Sequence, residues 1–109
     1  MKKASTSNLA EYVVYFPLCY NNGSRIEDEK IEACMEQIAA RFKGYTRQKA
    51  SEGIWISKNK KYHDLIDKIE VLTYDTTEND DYFRRLAEFL KKTLRQKEIF
   101  IKKIKVERL

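Results

Sequence analysis

Tyr62-His63-Asp64 is the triplet in this chain best equipped to move protons, and His63 is its only histidine. Imidazole titrates near neutral pH, and a neighbouring carboxylate can orient it or raise its proton affinity. Successive residues of a strand point to opposite faces, however, so a strand would separate His63 from Asp64. An exposed hairpin histidine is the plainer reading, and His63 stands as a weak catalytic candidate. Asp64, Asp67, Asp75, Asp80 and Asp81 could hold Mg²⁺ if several converged. Loop solvation and helix capping explain the same residues, so no metal site is expected. Arg84, Lys91, Lys92 and Arg95 share a helical stretch and could face an anion. Tyr15, Trp55 and Tyr74 are aromatics of strand-like segments. They could line an apolar contact, or stack nucleic-acid bases.

Other chemistries lack their residues. There is no G-x-G-x-x-G, no phosphate-binding loop, no H-E-x-x-H and no Cys/His cluster. One histidine serves zinc and triad chemistry poorly. No motif asks for a cofactor. Cys19 and Cys34 sit among apolar neighbours, away from metal-ligand spacing, and read as free packed thiols.

The chain has 109 residues, enough for one domain with one core. It is 42% hydrophobic and 36% charged, with one Pro and three Gly. These values exclude disorder and long linkers. MKKASTSNLAEY shows no apolar signal region. No run reaches the roughly 18 apolar residues of a membrane span. A soluble, cytoplasmic protein with no membrane partner is the expectation. The net charge is +5. Its basic excess lies from Arg84 onward, whereas the first helix opens with Glu27, Asp28, Glu29 and Glu32. That asymmetry permits a nucleic acid, an acidic partner, or acid-to-base self-association.

The elements that must position these residues follow from periodicity. Residues 1–10 read as a frayed tail and 11–109 as one domain. Tyr12 to Cys19 is apolar on both faces, as in a central strand, with Pro17 at a bulge or near its end. Ile31, Cys34, Met35, Ile38 and Phe42 form a helical stripe, with Gly44 as its terminator. Tyr45 to Ile56 reads as a strand with a bulge or bend at Ser51-Glu52-Gly53. Ser57 to Lys61 reads as a turn, and Ile66 to Tyr74 as a strand. Its Ile69, Val71 and Thr73 alternate against Glu70, Leu72 and Tyr74. Thr76 to Asp81 signals a helix start. Phe83, Leu86, Ala87, Leu90 and Leu94 form that helix's stripe. Ile99 to Val106 reads as an edge strand, with a bulge at Lys102-Lys103.

This order is the βαββαβ plan of a ferredoxin-like α+β sandwich. Both helices carry a single stripe, so both should cover one face of a four-stranded antiparallel sheet. The other face keeps one side of each strand, with Tyr12 or Tyr15, Trp55 and Tyr74 as candidates. The final strand's basic residues could extend the anion-facing surface. The expected third strand lacks the Gly of an RNA-recognition motif and carries Glu70. The first strand ends without the Asp of a small ferredoxin-like nuclease.

Arg41-Phe42, Gly53-Ile54-Trp55 and Leu94-Arg95-Gln96-Lys97-Glu98 together give a pattern similar to a family of small, uncharacterised bacterial ferredoxin-like proteins, of the domain-of-unknown-function type. The resemblance covers most of the chain and implies the fold without an activity. The chain departs from it at Tyr15-Phe16-Pro17, where such proteins often carry a Gly.

Three functions fit these observations. The first is a non-catalytic binding module, homodimeric through its sheet or edge strands. The second is a nucleic-acid-binding regulatory or defence protein. The third is a cofactor-independent small-molecule enzyme of the dimeric ferredoxin-like type, with His63 or a tyrosine in a pocket between sheet and helices.

Overall fold

A computed structural model describes residues 8–109, apart from the side chains of Trp55, Ser57 and Tyr62. The elements run β1 (Leu9–Pro17), α1 (Asp28–Phe42), β2 (Thr46–Ser57), β3 (Lys60–Tyr74), α2 (Thr77–Thr93) and β4 (Ile101–Val106). The sheet order is β2-β3-β1-β4, with every pairing antiparallel. This is the expected ferredoxin-like α+β sandwich. Leu9 and Ala10, expected in the tail, instead begin β1, and Ala10 is fully buried. Residues 1–7 lie outside the described residues.

The central strand is as apolar as its position demands. Ala10, Tyr12, Val14 and Phe16 join the core beneath the helices, with Ile69 and Val71 from β3. Ile31, Cys34, Met35 and Ile38 come down from α1, and Phe83, Leu86 and Leu90 from α2. Pro17 ends β1, where the sheet requires nothing of its missing N–H. Thr76 caps α2, its hydroxyl accepting the Asn79 N–H at 3.1 Å. Lys43, not Gly44, takes the left-handed conformation closing α1, at φ 68°. Arg95 does the same after α2, at φ 53°. The Gln96 N–H then reaches back to the Lys91 carbonyl at 2.9 Å, a helix-terminating bond that sequence reasoning missed.

The β2–β3 hairpin departs furthest from expectation. Lys60 and Lys61, expected in a turn, begin β3, six residues before Ile66. Only Lys58 and Asn59 turn the chain, at φ 51° and 64°, as a two-residue type I′ loop requires. β1 pairs with β3 only from Ile66 onward. Residues 51–65 therefore form a two-stranded arm extending about 20 Å beyond the sheet at the usual rise. Gly53 lies where this arm begins, and a Cβ there would stand 3.1 Å from Ile66 Cδ1. The bulge falls between Gln48 and Ser51, earlier than expected, with Ala50 at φ 51°. β4 is an edge strand in continuous register from Ile101 to Val106, so the bulge expected at Lys102-Lys103 is not present. The two lysines simply alternate between faces.

Candidate functional site

Registers assign each strand residue a face. Tyr12 belongs to the helix-covered side, so Tyr15 is the β1 aromatic on the open side. Across that open side Tyr74, Leu9 and Val106 form one row. Leu72, Glu11 and Ile104 form the next. Glu70, Val13 and Lys102 follow, then Lys68 and Tyr15. The Phe100 ring meets Tyr15 edge-on at 5.2 Å. Lys68 and Lys102 hold their ammonium groups 5.5 and 5.8 Å from the Tyr15 ring centre. Leu72 is 59% exposed, Tyr74 51%, Phe100 60% and Ile104 42%. The expected pair Tyr15 and Tyr74 thus share one surface. Trp55 lies opposite Tyr62 on the arm, but its side chain is outside the described residues. Phe100 and Ile104 were missed as contact residues, although alternation along β4 puts them on this face with Lys102.

The arm adds an apolar strip on the opposite side. Ile54 pairs with His63, and Ile56 with Lys61. Ile54, Ile56 and Leu65 are all exposed. His63 lies here too, with Nδ1 3.5 Å from the Glu52 carboxylate and both side chains more than half exposed. The core between sheet and helices is therefore remote from the only imidazole.

Two polar clusters take up carboxylates considered for metal. Asp67, nearly fully buried, holds the bulge: its Oδ1 accepts the Ala50 N–H at 2.7 Å. Its Oδ2 accepts Arg47 Nη2 at 2.7 Å and Nε at 3.1 Å. Arg47 Nη1 donates to Glu32 of α1 at 2.9 Å, tying three elements together. At the other end, Tyr12 Oη donates to Asp80 Oδ1 at 2.5 Å. Lys103 Nζ lies 3.0 Å from the same oxygen and 2.6 Å from Asp75 Oδ1. Burial and the Asp80 hydrogen bond push the Tyr12 hydroxyl well above the usual tyrosine range. The hydrogen bond from Tyr12 holds Asp80 below the usual carboxylate range. Among the described residues no three His, Cys, Asp or Glu side chains converge as a metal requires. Both cysteines are free thiols, and burial pushes the Cys34 thiol up.

The basic helix face is partly neutralised. Arg84 pairs with Asp81 at 2.9 Å, and Lys91 with Glu88 at 3.5 Å. Arg95 lies 5.6 Å from the Tyr20 ring, while Lys92 is exposed one helical row away. Of the four expected cations, Arg84 and Lys91 thus each have an acid beside them, and Arg95 lies beyond the end of α2.

No family model and no curated protein matches the sequence. Solved structures do resemble the fold. CutA1 from Oryza sativa aligns over 97% of this chain and 86% of its own, at TM-score 0.66 and 11% identity. The divalent ion tolerance protein CutA1 from Ehrlichia chaffeensis aligns over 96% of this chain and 87% of its own, at TM-score 0.60 and 10% identity. At such identities the likeness establishes the fold alone.

Proposed function

We propose that this chain is a self-associating interaction module whose homodimer buries the open sheet face. The carrying observation is the cluster of Leu72, Tyr74, Phe100 and Ile104, four large apolar side chains exposed on one side of one sheet. Contiguous apolar surface is costly in water and marks a contact region. The same face carries Glu11, Glu70, Lys68 and Lys102, so a two-fold axis can set the acids of one copy against the lysines of the other. Strands β3, β1 and β4 at ordinary spacing offer a face of roughly 15 by 30 Å, about 450 Å² per copy, which is the size of a weak, concentration-dependent contact. Nothing in this reading requires catalysis, and no ion chemistry is carried over from a neighbour's name.

A second reading has one observation in its favour. Tyr15 flanked by Lys68 and Lys102, with Phe100 beside it, suits a stacked base and its phosphates. Glu11 and Glu70 in the same rows oppose it. Sedimentation equilibrium separates the two readings. Twice the chain mass, reduced to one chain by Leu72→Glu with Ile104→Glu, supports the dimer. A monomer at all concentrations that binds single-stranded oligonucleotide with steep salt dependence supports the second.

A further inference from the structure

On the helix side of the sheet, α2 and β4 enclose a trough of about 350 Å³. Its floor is Phe83, Ala87, Ile99 and Ile101, and Arg84 and Lys103 stand around it with Asp80, while Lys102 borders it with its ammonium turned to Tyr15 on the open face. β4 is the edge strand, so it presents main-chain donors and acceptors on its outer side. Lys105, exposed on the helix side of β4, extends the positive rim. Asp80 is already engaged by Tyr12 and Lys103, Lys103 is shared with Asp75, and Arg84, mostly exposed, pairs with the surface carboxylate of Asp81 and lies near Asp80. We propose that this trough binds an extended acidic segment of a partner protein, added to β4 as a fifth strand.

Three features favour that occupant. An exposed edge supplies the hydrogen bonds by which a peptide augments a sheet, and a neighbouring apolar pocket receives its alternate side chains. The lysines of β4 deter apolar or basic strands from the edge, yet by charge they draw an acidic one. Nucleic acid is the poorer fit, because the rings that line the trough, Tyr12 and Phe83, are buried and cannot stack on a base, whereas the exposed aromatics Tyr74 and Phe100 lie on the other face.

Fluorescence anisotropy at low salt tests this with the full chain. The probes are a labelled peptide of alternating Glu and Val, the same peptide N-methylated at every second amide, an alternating Lys and Val peptide, and labelled oligo-dT. The acidic peptide should bind, weaken about tenfold or more in Arg84→Glu or Lys105→Glu, and weaken with added salt. N-methylation should abolish binding, because it removes the strand's donors. Circular dichroism confirms that both variants fold, their substituted side chains being exposed. The proposal is overturned if no peptide binds, if the N-methylated peptide binds equally, or if oligo-dT binds in place of the acidic peptide. It is overturned too if Arg84→Glu alters the sedimentation mass, because the trough then belongs to a contact between copies.

Discussion

Two residues show how environment, not type, decides a side chain's work. Tyr12 and Tyr15 are three apart in β1, yet one is a buried donor and the other an aromatic on the open face. The Tyr12 hydroxyl is held neutral and the Asp80 carboxylate charged, which fixes the sign of their pH dependence. Asp80 contributes fully above the ordinary carboxyl pKa near 4, and loses its contribution as pH falls through its lower folded value. Tyr12 contributes fully below the ordinary tyrosine pKa near 10, and loses it as pH rises towards its higher folded value. Tyr12→Phe should cost about 1 kcal/mol at neutral pH and flatten the alkaline decline. Urea midpoints measured across pH check this, and parallel curves for wild type and variant would contradict it. Asp67 makes a sharper contrast. Asp67→Ala leaves the Ala50 N–H and one side of Arg47 without partners, at a cost of about 2–4 kcal/mol. Glu32→Ala removes a mostly exposed partner of the same Arg47 and should cost under about 1 kcal/mol in the same urea titration.

Elements whose hydrophobic period is long were legible in the sequence, and the arm was not. Both helical stripes reach the core, and alternation in β3 correctly sent Ile69 and Val71 inward and Leu72 and Tyr74 outward. The arm escaped because Ser57 to Lys61 is polar and carries no Gly, so it reads as a loop. Asn59 tolerates the left-handed region, but Lys58 does so at a cost. Helix ends failed similarly: Gly44 signals a terminator, yet Lys43 takes the left-handed position, and Arg95 ends α2 despite its Cβ. Faces across the sheet were legible only in part, because register fixes which aromatics meet and no single strand encodes it. Replacing Lys58→Asn with Asn59→Gly supplies the favoured type I′ pair. A two-stranded ribbon off the sheet opens on its own, so the gain is local. Amide exchange in residues 52–64 should slow about fivefold, with β1 unchanged. Equal slowing in β1 would mean that arm and sheet open as one unit.

At the scale of the whole molecule, the proposed dimer would couple folding to concentration. One fold supports many functions, so what this chain does lies in its own surfaces. Its helix-covered side holds a closed apolar core, while the opposite side leaves Leu72, Tyr74, Phe100 and Ile104 in water. If a second copy covers them, native dimer is favoured over two unfolded chains by mass action. A tenfold rise in chain concentration then adds about 1.4 kcal/mol per dimer and raises the melting temperature by a few degrees. Leu72→Glu with Ile104→Glu removes apolar contact area and opposes Glu11 with further acids on the same face. The melting temperature of that variant should be independent of concentration, and somewhat below the dilute limit of wild type because Glu11 then sits between two acids in one row. A wild-type melting temperature that is flat across the same range leaves this face with no second copy on it.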